Sequence, residues 1–167
     1  TDQAKAGRVS CRWHAAYSMS TPIVFLDVDG VLNSEVWVRS HPHVAMIPPS
    51  FAHDALAEAL IDPACVVRLR RLVETAGAQI VISSSWRYRM EPEEFAKMFA
   101  MFDWAAAPVV GHTPLSLSSA PRGREVSNWL GRHKPEFVPY VCLDDIEQFF
   151  PHQPLVRTDP EIGLADS

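Results

Sequence analysis

Two aspartates one residue apart, Asp27 and Asp29, follow the apolar run Ile23-Val24-Phe25-Leu26. A carboxylate at the end of a buried strand can attack phosphorus, and a second carboxyl two positions along the loop can protonate the leaving oxygen and later activate water. That chemistry makes Asp27 the candidate nucleophile, forming an acyl-phosphate, and Asp29 the candidate acid/base. A second acidic pair, Asp144-Asp145, closes another apolar run, Val141-Cys142-Leu143. Carboxylates packed this closely repel one another, and a hard divalent cation bound through oxygen relieves the repulsion. Magnesium suits so sparse a set, since it takes one or two carboxylates and completes its shell with water and phosphate oxygens. Ser83-Ser84-Ser85 ends a third run. A serine hydroxyl there can hydrogen-bond a transferring phosphoryl oxygen, while a cation such as Arg122 offsets the developing charge. Ser83 and Ser84 both suit the first role; Arg124, Lys134, Arg87 and Arg89 compete with Arg122 for the second.

These groups converge only if the elements before them are neighbouring parallel strands, because functional groups in open α/β sheets collect at the carboxyl ends of the strands. Ile23 to Leu26 has the continuous apolar character of a strand buried on both faces. Gln79 to Ile82, Phe137 to Leu143 and Leu155 to Thr158 read as further strands. Between them lie helical patterns. Asp62-Pro63 caps and starts one that carries Val66, Leu69, Leu72 and Val73 to Gly77. Glu91-Pro92-Glu93-Glu94 opens a second, turning Phe95, Met98, Phe99 and Phe102 inward. A third runs from about Gly123 to His133. Strands alternating with helices predict right-handed crossovers and a mostly parallel sheet in an α/β fold. Glu35 to Arg39 and Val44 to Ile47, separated by Ser40-His41-Pro42-His43, predict a short two-stranded flap.

Residues 1–20 carry no convincing period and read as a poorly ordered N-terminal tail, with Met19 just before the first strand; residues 21–167 read as one domain. At 167 residues, 47% hydrophobic and 21% charged, the chain has the composition of one globular domain. Its formal net charge of −5 gives no overall basic field for nucleic acid. Cys11, Cys65 and Cys142 are too scattered for a disulfide framework or a zinc knuckle, which points to a reducing, cytoplasmic setting. No apolar run is long enough to cross a bilayer.

The stretch from Phe25 to Asn33, F-L-D-V-D-G-V-L-N, resembles the first motif of the haloacid dehalogenase (HAD) superfamily, D-x-D-G-x-[LV]. Ile80-Val81-Ile82-Ser83 is similar to the second, Arg122-Gly123 to the third, and Val141-Cys142-Leu143-Asp144-Asp145 to the fourth, in order over residues 22–158. Together with S-S-S-W-R, R-G-R-E and a closing T-D-P-x-x-G-L, they look like the small HAD domains of bacterial RNA-repair proteins. The resemblance implies a three-layer Rossmann-like HAD fold without a large cap domain, since only residues 34–62 are available for an insertion. It implies Asp27 as nucleophile, Asp29 as acid/base, Ser83 as phosphate binder and Arg122 as the cation. Asp27, Asp144 and Asp145 would face the metal, with Asp29 reaching it through its backbone carbonyl. The implied activity is that of a magnesium-dependent phosphomonoester hydrolase.

A nearly capless site is open, which favours phosphate esters on macromolecules, such as a nucleic-acid end or a phosphoprotein. Trp37 and Trp86 are candidate platforms for a base or a peptide. The same residues also serve phosphotransfer to an acceptor other than water. A non-catalytic phosphate-binding or partner-binding domain is the alternative from another class; the presence of both Asp27 and Asp29 weighs against it. His41, His43 and His53 lack the spacing of a zinc site, Trp129 and Phe99 read as core, and Arg68, Arg70 and Arg71 read as a solvated helix face.

Overall fold

The computed structural model describes residues 20–42, 59–115, 120–134 and 136–166. The expected tail, apart from Ser20, lies outside them, as do the expected strand Val44 to Ile47 and both His43 and His53. Among the described residues five strands form one parallel sheet: β1 (Ile23–Leu26), β2 (Gln79–Ile82), β3 (Val109–His112), β4 (Tyr140–Asp144) and β5 (Leu155–Arg157), in the order β3-β2-β1-β4-β5. The chain winds outward from β1 through β2 to β3, then crosses back to lay β4 on the other side of β1. That reversal is a topological switch point, where neighbouring loops part and leave a crevice at the carboxyl ends of β1 and β4.

β1 is central, and all four of its residues are buried, as its unbroken apolar run requires. Its alternation splits the core in two. Val24 and Leu26 face α2 (Pro63–Ala76) and α3 (Pro92–Ala100), with Cys65, Val66, Leu69, Val73, Phe95, Met98 and Phe99 beneath them. Ile23 and Phe25 face α4 (Arg122–His133) through Val81, Val126, Trp129 and Cys142. The result is the expected three-layer Rossmann-like arrangement, with no large cap among the described residues.

The helices begin where the chain supplies caps. The Asp62 side chain accepts from the Ala64 amide at 2.8 Å, Pro63 opens α2, and Gly77 closes it in the left-handed region at φ 59°. Glu91 and Glu94 form a capping box at α3. Phe102 is half-buried against the core, whereas Leu72 lies outside the buried stripe of α2.

Glu35 to Arg39 departs from expectation. It is not a strand of a flap but the helix α1 (Glu35–Ser40). Ser34 caps it by accepting from the Trp37 amide at 3.1 Å, and Glu35 pairs with Arg39 one turn on at 3.0 Å. The first free amides of α1, on Glu35 and Val36, donate to the carbonyls of Pro160 and Glu161 at 2.9 and 3.2 Å. The alternation of Val36, Trp37 and Val38 imitates a strand, but no described strand pairs with it and Val36 is exposed.

The strand expected from Phe137 starts later, at Tyr140, and runs on to Asp144, because Pro139 has no amide to donate to a ladder; Phe137 is 88% exposed. β3 is an additional strand: only Val109 and Val110 of its four residues are β-formers, Val110 is exposed, and Pro108 precedes them, so it lacks the mark of a buried strand. Among the described residues no helix is long and apolar enough to cross a membrane.

Candidate active site

The ladder continues one residue beyond β1 and β2. The Asp27 amide donates to Leu143 O at 2.9 Å, and the Ser83 amide to Leu26 O at 2.7 Å. Leu26 pairs with Ile82 on one side and Leu143 on the other, so Asp27, Ser83 and Asp144 lie level. They also keep the alternation of Phe25, Val81 and Cys142, which directs all three toward the α4 layer. α4 begins there with Arg122, whose Nη2 lies 3.3 Å from Asp27 Oδ2 and whose Nε lies 3.6 Å from Asp144 Oδ2.

Asp27 Oδ1 accepts from the Val28 amide at 2.7 Å. Asp144 Oδ1 accepts from the Ile146 amide at 3.1 Å, closing a local turn; the segment after it is not helical, so Asp144 caps no helix there. Carboxylate oxygens of Asp27, Asp144 and Asp145 all lie within 4.8 Å of one another. The loop after β1 presses against this group. Gly30 sits at φ 69°, and a Cβ there would meet Asp145 Cγ at 2.7 Å, so the position needs glycine. Thr158 holds the same loop from the far side, donating its hydroxyl to Gly30 O at 2.8 Å and its amide to Asp144 O at 3.0 Å.

Burial is nearly complete, with side-chain exposures of 5% for Asp27, 1% for Asp144 and 12% for Arg122. Loss of solvent raises Asp27 above the ordinary carboxylate range, against the lowering effect of Arg122 and the Ser84 hydroxyl. The same loss of solvent, and then the Asp27 charge, pushes Asp144 up to about 7. At this site three buried polar atoms have no hydrogen-bond partner among the described residues: the Ser83 hydroxyl, Arg122 Nη1 and Asp144 Oδ2. Leaving such groups unpaired costs about 1–3 kcal/mol each, so they point to a ligand. The oxygen-only donors match a hard cation such as magnesium, and the free hydroxyl and guanidinium nitrogen match phosphate oxygens.

Asp29 does not join the three acids. Its carboxylate is exposed and takes hydrogen bonds from Trp86 Nε1 at 3.0 and 3.1 Å and Asn33 Nδ2 at 2.9 Å. Ser84 Oγ accepts from the Trp86 amide at 3.3 Å, capping the short 3-10 helix Ser85–Tyr88. Of the rival cations, Arg87 is buried in an ion pair with Glu125 at 2.7 Å, and Arg89 and Arg124 are exposed; Arg122 alone among them is paired with the acids. The Trp86 contact with Asp29 and the Arg87–Glu125 pair had no local signature in the sequence. Trp86 is therefore half-buried against Asp29, and Trp37 lends its indole N–H to Ala59 O at 3.1 Å.

A parallel sheet of this order, with acids emerging at its switch point and a basic residue opening the helix beneath them, is the architecture of the HAD superfamily. The family described as the HAD domain in Swiss Army Knife RNA repair proteins matches residues 23–167, and the chain belongs to it. Among curated proteins no match was found. Family membership supports phosphatase- or phosphotransferase-type chemistry at the superfamily level, with a divalent metal at an acid cluster.

The acid cluster also sets a stability prediction. A carboxyl raised in the folded state favours folding fully below its unfolded value near 4, and that contribution is lost as pH rises through the folded value. For Asp144 the loss spans about pH 4 to 7. At pH 8 without metal, Asp144→Asn therefore melts higher than the parent chain, by ~6 °C for about 2 kcal/mol of relieved desolvation and repulsion. Added magnesium raises the melting temperature of the parent and not of the variant. Equal melting of the two, or equal shifts with magnesium, would contradict this account of the cluster.

Proposed function

We propose that this chain is a magnesium-dependent phosphomonoester hydrolase working through an aspartyl-phosphate on Asp27. The observation that carries the proposal is the buried meeting of Asp27, Asp144 and Arg122 beside the unpartnered Ser83 hydroxyl and Arg122 Nη1. An Asp27 oxygen attacks phosphorus and the ester P–O bond breaks. The departing oxygen takes a proton from Asp29 and leaves as an alcohol. Water then attacks the same phosphorus, giving its proton to the Asp29 carboxylate; the acyl–phosphate bond breaks, phosphate leaves and Asp27 is restored. Arg122 and the Ser83 hydroxyl hold the phosphoryl oxygens, with Ser84 beside Asp27. Magnesium, held by Asp27, Asp144 and Asp145 with the backbone carbonyl of Asp29, would neutralise charge on the phosphoryl group.

The substrate class we favour is a phosphorylated nucleic-acid end. The family's description as an RNA-repair domain supports it, as does the sequence length available for an insertion after β1, residues 34–62, which is too little for a large cap domain. The test is phosphate release from small phosphomonoesters, a phosphopeptide and 3′- and 5′-phosphorylated oligonucleotides, with and without magnesium. Magnesium-dependent release that is fastest from an oligonucleotide end is the expected result. No release from any of them would favour a domain that binds phosphate without turnover.

A further inference from the structure

Asp29 presents a problem of aim. A general acid must offer its proton along one direction, yet the Asp29 side chain is short, exposed and outside the buried acid cluster. The indole N–H of Trp86 lies across its two oxygens, 3.0 Å from Oδ1 and 3.1 Å from Oδ2. Asn33 Nδ2 donates to Oδ1 at 2.9 Å, and the Ser85 hydroxyl lies 3.4 Å from Oδ2. The Asn33 amide has no freedom to flip, because its own oxygen accepts from the Gly30 amide at 2.9 Å. Its NH2 group must therefore face Asp29.

We propose that Trp86, acting with Asn33, is a positioning residue that fixes Oδ1 of Asp29 as an acceptor and leaves Oδ2 to carry the transferable proton. The Asn33 NH2 group donates to Oδ1 alone and cannot accept, so Oδ1 cannot hold a proton against it, while the indole N–H, which spans both oxygens, donates to whichever is unprotonated and cannot accept from either. Among these neighbours of Oδ2, only the Ser85 hydroxyl can turn to accept. When Oδ2 is protonated, the indole N–H settles on Oδ1. Trp86 is itself anchored: its amide is bonded to Ser84 Oγ, and its carbonyl accepts from the amides of Arg89 and Met90 at 2.9 and 3.1 Å. The acid is thereby tied to the loop carrying Ser83 and Ser84, so proton donor and phosphate binder share one frame.

This inference rests on the reading of Asp29 as acid/base, and dependence on the leaving group separates the two. Poor alkyl leaving groups require proton delivery, whereas p-nitrophenolate departs without it. Trp86→Phe keeps an aromatic ring and deletes the N–H. The variant is compared with Asp29→Asn and the parent on p-nitrophenyl phosphate and on the alkyl phosphate that the parent hydrolyses best, with melting curves to confirm folding. The expected result for Trp86→Phe is a kcat loss of about 10- to 100-fold on the alkyl ester and less than about 3-fold on the aryl ester, a partial copy of the 10²- to 10⁴-fold alkyl-selective loss in Asp29→Asn. If Asp29→Asn shows that selectivity and Trp86→Phe loses both substrates equally, or neither, the positioning role is overturned and the acid/base role stands. If Asp29→Asn shows no selectivity, the acid/base reading falls and this inference falls with it.

Discussion

Asp27→Asn reduces magnesium-dependent phosphate release by about 10⁴-fold or more, the scale of loss when a covalent nucleophile is removed from an acting set of groups. The amide cannot attack phosphorus, but it preserves most of what surrounds Asp27. Its oxygen still accepts from the Val28 amide, as Asp27 Oδ1 does at 2.7 Å, and Arg122 keeps its ion pair with Asp144. Folding is therefore not the cause of the loss. Asp27 is buried and raised above the usual carboxylate range, so a neutral group of the same shape leaves metal-free stability unchanged or improved. Acid quenching of the parent during turnover of a radiolabelled phosphate ester traps label on the protein. Hydroxylamine releases that label, as it does from acyl-phosphates, and the variant traps none. A variant that turns over normally, or label that survives hydroxylamine, would place the nucleophile elsewhere.

The parts of the site legible in the sequence are those whose chemistry follows a buried strand directly. Asp27, Ser83 and Asp144 each terminate a continuous apolar run, and a parallel sheet with paired register makes three such endings level. Arg122 was legible as a basic residue opening a helix, though nothing local distinguished it from Arg124 or Arg87; only the packing of α4 on β1 brings it to Asp27 and turns Arg124 to solvent. β3 was hidden because it is a half-exposed edge strand in which only Val109 and Val110 are β-formers, behind an Ala-rich stretch and Pro108. α1 was misread because Val36, Trp37 and Val38 carry strand-like residues, while what decides the helix is the Ser34 cap and two carbonyls that arrive from Pro160 and Glu161, far along the chain. Of the donors on Asp29, Asn33 lies in the same loop, whereas Trp86 shares this long-range character and stands 57 residues away.

The same limit hid the pair whose disruption has the largest expected effect on stability. Arg87 follows the serine loop and Glu125 lies one turn beyond Arg122 in α4; their side chains are 3% and 8% exposed and meet at 2.7 Å. Arg87 Nη1 also donates to Ser84 O at 2.6 Å. One guanidinium thus joins the loop of Ser83 and Ser84 to the helix that delivers Arg122. Burial holds the Arg87 pKa below its ordinary value, opposed by the Glu125 charge, so the folded protein sustains this cation only through its partner. Glu125→Ala leaves the charge buried and unpaired, at a cost of about 3–5 kcal/mol and a melting temperature lower by ~10 °C. The double variant Arg87→Met, Glu125→Leu removes both charges and fills the space, and it recovers most of that loss, since apolar pairs of similar volume often replace buried ion pairs without penalty. It does not recover the alignment of Arg122 with the serine loop, so its KM for the phosphate ester stays raised although its fold is restored. A double-mutant cycle built from Arg87→Met, Glu125→Leu and their combination, followed by melting and kinetics, checks both statements. Additive losses in stability would mean that the two residues do not act as a pair. A double variant with parental KM would mean that Arg122 and the serine loop are aligned by the sheet and α4 alone.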